Sequence, residues 1–302
     1  MNPGLVSRSS GRRGTAPPAP EPLTVPVADD HCHLDLAHAG PGEGGGGDTP
    51  EGALGLGAAL DAAVQAGIDR VLTVGTDLAS SAWSVAFAEA DPRVLAAVAL
   101  HPNEAPRLAA LGELDDALAE IDRLAGSSDR VRAIGETGLD RYRTDHGDHD
   151  AAAAQRRSFA AHTEIARRRG LVLQIHDRDA HADVLDVLDE VGAPERVVLH
   201  CFSGDAGFAR ACVDRGYVLS FAGTVTFANA AGPRAAAAVT PVEQMQVETD
   251  APFLTPVPHR GRPNASYLVP LTVRALAQVK GMDVDELCAG LSATAERVYG
   301  PW

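Results

Sequence analysis

Lysine is almost missing from this chain. Of its 26 Lys and Arg residues only Lys280 is a lysine. With the abundance of Ala and Gly, this matches a GC-rich coding bias, so arginine richness alone is not read as phosphate recognition. Positive charge is also short in total: 26 basic against 41 acidic residues gives a net charge of −15. Such a surface repels nucleic acid and anionic membranes, which excludes tight nonspecific duplex binding but not local contact with a few phosphates. No apolar stretch reaches the roughly 20 residues of a membrane span. Cysteine is sparse: Cys32, Cys201, Cys212 and Cys288 lack any C-x-x-C spacing and read as small buried residues of a reducing compartment. The first 22 residues carry basic side chains but no apolar core of a secretory signal. The expected location is the cytoplasm, with no membrane contact and no obligate protein partner.

What remains is a chain of 302 residues, 45% hydrophobic, long enough for one α/β barrel of about 250 residues with a large core. Residues 1–22 are rich in Pro, Gly, Ser and Arg and are expected to form a disordered arm. Residues 23–302 are expected to form a single domain, interrupted by a flexible Gly-rich loop at 39–52. Short apolar, β-branched runs at 24–30, 70–75, 93–100, 130–135, 170–175, 195–199, 216–221 and 243–248 have the character of strands buried on both faces. Helix-length stretches lie between them at 54–67, 79–90, 107–125, 150–169, 179–191, 205–215 and 227–239, and two more at 267–280 and 283–298. The fourth ends Arg167-Arg168-Arg169-Gly170, a stop favoured by the helix dipole and a left-handed cap. Eight strand–helix units predict a (β/α)8 barrel. A doubly wound open sheet is disfavoured because no Gly-x-Gly-x-x-Gly follows the first strand.

His31, His33, Glu136, His176, His200 and Asp250 each fall just after one of these runs. In a barrel the loops after the strands form one face, so residues far apart in sequence converge there. His31 and His33, two apart on a strand, point to one side and can chelate together. One such histidine is more often a hydrogen-bonded core residue, and one such acid a helix cap. Five of eight predicted strands ending in a ligand-type residue argues instead for divalent metal. Imidazole with carboxylate suits Zn, Mn or Mg. Six ligands are too many for one catalytic ion with open positions and fit two, with Glu136 as a bridge.

The segments DDHCHLD (29–35), LHPNEAP (100–106), GETGLD (135–140), IHDRDA (175–180), LHCFSG (199–204) and ETDAPFL (248–254) resemble, in order, the signatures of the TatD family of metal-dependent hydrolases. The resemblance covers about 27 to 300. It implies an amidohydrolase-like barrel with a two-metal site that cleaves phosphodiesters, as a deoxyribonuclease of exonuclease type acting on single strands or ends. Residue by residue, it implies that His31, His33 and Asp250 hold one ion, His176 and His200 the other, and Glu136 both. Asp250 then has the chemistry of a general base, making Asp250 and Glu136 the catalytic candidates. Nucleic acid would be a transient substrate at the active face.

Candidate substrate contacts are His101, Arg178, Arg260 and Arg262. His101 follows the third strand and matches the family's His-Pro pair; it is equally suited to phosphate contact, ligand orientation or a loop hydrogen bond. Arg178 follows His176 by two and could instead pair with Asp177 or Asp179. Arg260 and Arg262 form the basic cluster after the eighth strand. Asp35 and Asp140 match family positions and are read as supporting or capping residues. His146 and His149 are expected to have no catalytic role, and Arg8, Arg12 and Arg13 to belong to a solvated tail. In one place the family pattern fails. An Arg-Asn-Glu-Pro-type segment is replaced by Arg262-Pro263-Asn264-Ala265-Ser266-Tyr267, without the acid. The alternative function is a barrel amidohydrolase or esterase acting on a small amide, ester or phosphoester. Many such enzymes bridge their ions with a modified lysine, and Lys280 lies in a C-terminal helix away from any predicted strand end.

Overall fold

A computed structural model describes residues 15–38, 55–144 and 147–302. The Gly-rich loop at 39–52, His146 and Arg8, Arg12 and Arg13 lie outside the described residues. Eight parallel strands follow one another in order around the sheet: β1 (Val27–Cys32), β2 (Ile68–Val74), β3 (Val94–Val98), β4 (Val131–Asp140), β5 (Val172–Arg178), β6 (Val197–Leu199), β7 (Val218–Phe221) and β8 (Met245–Val247). The helices are α1 (Leu34–His38), α2 (Leu56–Gln65), α3 (Leu78–Ala90), α4 (Glu104–Leu111), α5 (Leu114–Ala125), α6 (His149–Arg169), α7 (His181–Val191), α8 (Ala206–Val213), α9 (Ala231–Val239), α10 (Val269–Lys280) and α11 (Val284–Tyr299). The segment after β8 closes the ring onto β1, where Asp250 N–H donates to His31 O at 2.9 Å and His33 N–H to Ala251 O at 2.8 Å.

Period-two alternation separates two cores. Leu72 and Val74, Leu95 and Ala97, Ala133, Val172, Val198 and Val218 fill the barrel interior, joined from below by Val298 and Tyr299 of α11. Their strand neighbours, such as Val71, Ala96, Val98 and Ile134, pack outward against the helices. Above this apolar layer the interior turns polar, with Asp30, Gln174 and Ser220 fully buried beneath the mouth, and the mouth is where chemistry is possible in this architecture.

Several boundaries differ from the sequence reading. The helix expected at 107–125 is two helices, because Gly112 adopts φ 74° and its left-handed cap stops α4. β1, β4 and β5 run further than expected, so His31, Glu136 and His176 lie inside strands rather than after them. The stop at Gly170 is as expected, with φ 63°. Of the arm expected at 1–22, residues 15–22 are described. They carry no regular element and are held by Tyr267 O–H to Pro17 O at 2.7 Å and Arg274 to Pro22 O at 3.1 Å.

Candidate metal centre

Glu136 stands at the middle of the cluster, and its two oxygens face different partners. Oε2 lies 3.7 Å from His31 Nε2 and 3.6 Å from His33 Nε2. Oε1 lies 2.7 Å from His176 Nδ1 and 3.0 Å from His200 Nε2. Asp250 Oδ1 completes the first side, 3.3 Å from His33 Nε2 and 3.8 Å from His31 Nε2. All six residues predicted from strand ends therefore meet. Local backbone devices make this possible. Between Ile134 and Thr137 the β4–β5 register slips, with Gly135 and Glu136 facing the single residue Gln174, which re-aims Glu136. Gly138 has φ 142°, and a Cβ there would sit 2.1 Å from His176 O. Glycine is thus required for β4 to lie against the backbone of His176.

The outer nitrogen of each histidine determines what the inner one can do. His33 Nδ1 lies 2.9 Å from the carbonyl of Val74, so in the neutral ring that a cation would meet it carries the proton and leaves Nε2 bare. His31 Nδ1 lies 2.8 Å from Gln174 Oε1. The amide of Gln174 cannot be reversed, because its nitrogen donates to Asp30 O at 2.7 Å and a carbonyl accepts only. His200 Nδ1 faces Glu248 Oε1 at 3.3 Å. His176 faces Asp140 Oδ2 through Nε2 at 3.4 Å, a separation for an ion pair but poorly aligned for a hydrogen bond, and neither atom has a hydrogen-bond partner. Four bare imidazole nitrogens aimed at two carboxylates, with His31 Nε2 and His33 Nε2 only 3.4 Å apart, are an arrangement that a divalent cation satisfies and that protons satisfy poorly. The donor set fits metal.

The electrostatics agree. Burial works against the anion of Glu136, yet the imidazoles of His101 and His200 hold its carboxyl well below the usual range. Burial likewise opposes charge on His33, but Asp250 and Glu136 carry its pKa up to about 9. Burial and the neighbouring His200 push His31 down, while Glu136 and Glu248 overcome burial and raise His200 well above its ordinary value. Without a cation the site draws in protons, so cation binding must displace them.

His101 is resolved by its hydrogen bonds. Asn103 N–H donates to His101 Nδ1 at 3.1 Å, so the neutral ring bears its proton on Nε2, 3.4 Å from Glu136 Oε1. In that tautomer it is a donor at the mouth, and its ring also lies close enough to Glu136 and His176 for the three to share a cation once that proton is lost. Asp250 adopts φ 53°, and its side chain, 15% exposed, is more open than that of Glu136 at 6%. Its loop is clamped by Asn264, whose amide donates to Thr249 O at 2.8 Å and Phe253 O at 2.6 Å. The segment that departs from the family pattern thus supports Asp250. Arg178 pairs with neither Asp177 nor Asp179: its guanidinium lies 3.9 Å above the ring of Tyr142. Arg260 lies 4.0 Å above Phe227. Arg262 donates to Thr15 at 3.0 Å. Lys280 caps α9 through Thr240 O at 2.7 Å and is no bridge.

Sequence reasoning missed Glu248, Gln174 and Asp29. Glu248 is fully buried and takes Cys201 N–H at 2.9 Å beside His200. Asp29 accepts Thr249 N–H at 2.9 Å and the Thr249 hydroxyl at 2.6 Å, tying β1 to the Asp250 loop, and burial lifts its pKa to about 7. Charged residues at the ends of apolar strands were the available signal. A cavity of about 880 Å³ lies at the opposite end of the barrel, lined by Arg132, Arg168, Arg169 and Arg196. It is remote from these ligands. Arg196 spends its donors there on Val298 O and Gly170 O.

Comparison with known proteins agrees with this geometry. The family model described as TatD related DNase matches residues 28–300. An uncharacterized metal-dependent hydrolase TatD of Mycobacterium tuberculosis is 46% identical over 91% of this chain and 98% of its own length. The uncharacterized metal-dependent hydrolase YabD of Bacillus subtilis is 34% identical over 77% of this chain and 88% of its own. Among solved structures, the TatD homologue YJJV of Escherichia coli superposes with a TM-score of 0.77 at 26% identity, covering 91% of this chain and 98% of that one. No described helix is long and apolar enough to cross a membrane. The chain belongs to the TatD family of metal-dependent hydrolases.

Proposed function

We propose that this hydrolase cleaves phosphodiester bonds of DNA, at single strands or ends, with two divalent cations. One observation carries the reading: the two oxygens of Glu136 face two separate sets of ligand atoms. His31, His33 and Asp250 would hold one cation, His176 and His200 the other, and Glu136 would serve both. When bound, such a pair makes water more acidic and offsets charge on phosphate oxygens. The remaining work falls to the chain itself. Asp250, the more open of the two carboxylates, accepts the proton of the attacking water as general base. His101 Nε2–H faces the same space and donates to a phosphate oxygen. Arg178 and Arg260 supply guanidinium donors at the rim, and Arg262, which also holds Thr15, lies in the same loop as Arg260. Gln174, Glu248 and Asp140 fix the rings of His31, His200 and His176.

The test is hydrolysis of single-stranded DNA, RNA and methyl p-nitrophenyl phosphate with Mg, Mn or Zn. Turnover on the phosphodiesters should vanish with chelator and return with metal. Asp250→Asn should lower kcat by about 100-fold or more while metal stays bound. Turnover confined to amides or lactones refutes the phosphodiesterase reading. Normal turnover of Asp250→Asn refutes the base.

A further inference from the structure

Arginine side chains in this protein are nearly all engaged. Among the described residues, every arginine except Arg178, Arg210 and Arg260 has a side-chain hydrogen bond or ion pair with the protein. Two of these three exceptions share a second property, since each lies flat against an aromatic ring, Arg178 over Tyr142 and Arg260 over Phe227. They also share a place. Arg178 is the last residue of β5, two beyond His176, and Tyr142 is two beyond the end of β4 at Asp140. Phe227 and Arg260 belong to the segments after β7 and β8. Both stacks therefore stand on the metal-bearing face, on different sides of the mouth.

The isolation of Arg178 is not for want of acids. Asp179 is its neighbour in sequence, and Asp177 is committed to His181 Nδ1 at 2.7 Å and to Ala180 N–H at 3.2 Å. Stacking on a ring holds a guanidinium in place without consuming any of its five N–H donors, which leaves the fork free for a phosphate. Tyr142 is itself unusual. Aromatics make up only 4% of the chain, and Tyr142 is 66% exposed, the most open of the large apolar side chains described. An exposed ring beside a free guanidinium at a nuclease mouth is the pairing that binds unpaired nucleotides, one partner for the phosphate and one for the base. A base inside a duplex offers no free face to such a ring.

We infer that the Arg178–Tyr142 stack is a nucleotide subsite, in which Arg178 grips a phosphate of a single strand next to the scissile one and Tyr142 stacks the unpaired base. Arg260 on Phe227 is its counterpart across the mouth. The inference rests on the phosphodiesterase reading above and assigns residues to strand selection at that site.

The experiment measures binding of phosphorothioate-linked single strands, which resist cleavage, to the full metal-loaded protein by fluorescence anisotropy. Strands with bases are compared with strands of the same length carrying abasic sugars. The wild type should bind the base-bearing strand about 10-fold tighter or more. Tyr142→Ala should abolish most of that ratio and Tyr142→Phe should keep it. Arg178→Gln should weaken both strands alike and reduce the salt dependence by about one phosphate. An unchanged ratio in Tyr142→Ala, or no base-dependent binding by the wild type, overturns the subsite. Tighter binding of duplex than of single strands overturns it as well. Ring-dependent binding of strands whose ordinary phosphodiester forms are not cleaved leaves the subsite standing and refutes the phosphodiesterase reading instead.

Discussion

Replacing Gln174 with leucine separates the metal argument from the folding argument. The side chain is fully buried, its oxygen 2.8 Å from His31 Nδ1, its nitrogen 2.7 Å from Asp30 O and 3.1 Å from the Tyr299 hydroxyl. Leucine is close in volume, so no large cavity follows, but His31 Nδ1–H and Asp30 O are left without partners in a dry core. Each orphan costs about 1–3 kcal/mol, so the metal-free protein should lose about 2–6 kcal/mol. A second effect is specific to the site. Without an acceptor at Nδ1, His31 is free to move its proton to Nε2, the atom facing Glu136 and Asp250, and to rotate. Loss of such an outer partner lowers metal affinity by about 10- to 100-fold, or about 1.4–2.8 kcal/mol. Gln174→Glu gives the opposite balance. It keeps the acceptor for His31 but sets an oxygen against Asp30 O, so affinity should hold while stability falls. The assays are chelator competition for metal affinity and thermal unfolding of the metal-free protein. If Gln174→Leu unfolds more easily yet binds metal as the wild type does, the assignment of the His31 proton to Nδ1 is wrong.

Two further outcomes follow from buried polar groups. His162 accepts Leu100 N–H on Nε2 at 3.1 Å and donates from Nδ1 to Ser158 O at 2.7 Å, and burial lowers its pKa from 6.5 to about 4 although the Ser158 bond opposes this. The unfolded chain therefore binds the proton first, so this stabilisation is present above pH 6.5 and fades as pH falls toward 4, by about 3 kcal/mol in all. In urea titrations the stability gap between wild type and His162→Gln should narrow over that window, and a constant gap would contradict it. Asn264→Ala leaves the buried carbonyl of Thr249 unpaired, at about 1–3 kcal/mol, and the half-buried carbonyl of Phe253 as well, at less. It frees the Asp250 loop, so melting temperature and kcat should both drop; a variant with wild-type turnover would show that the clamp does not position Asp250.

The barrel was legible because parallel strands buried on both faces need apolar residues at nearly every position. Runs such as RVLTVG and ERVVL announce themselves, and the His and acid that end them mark the mouth. The same rule set its own limits. β4 and β5 continue through Gly135–Asp140 and His176–Arg178, where the sequence turns polar because the strands have risen into the site. Gly112 lies within an Ala/Leu stretch of helical length, and only a left-handed φ of 74° distinguishes a break from a passage.

The residues that orient the ligands were harder to see for a physical reason. A ligand advertises itself by type, since few side chains hold metal, whereas an orienting partner need only place one acceptor behind a ring. Val74 does so with its backbone carbonyl, which no sequence can reveal, and Gln174 with an amide inside an otherwise apolar strand. Glu248 lies in the segment ETDAPFL two residues before Asp250, and by residue type alone the two acids are indistinguishable. The burial of Glu248 beside His200 is what distinguishes it. A charged residue kept fully dry must be matched by a fixed donor or cation, and Glu248 meets both Cys201 N–H and His200 Nδ1. A buried acid at a barrel strand end is therefore as strong a pointer to the site as a histidine.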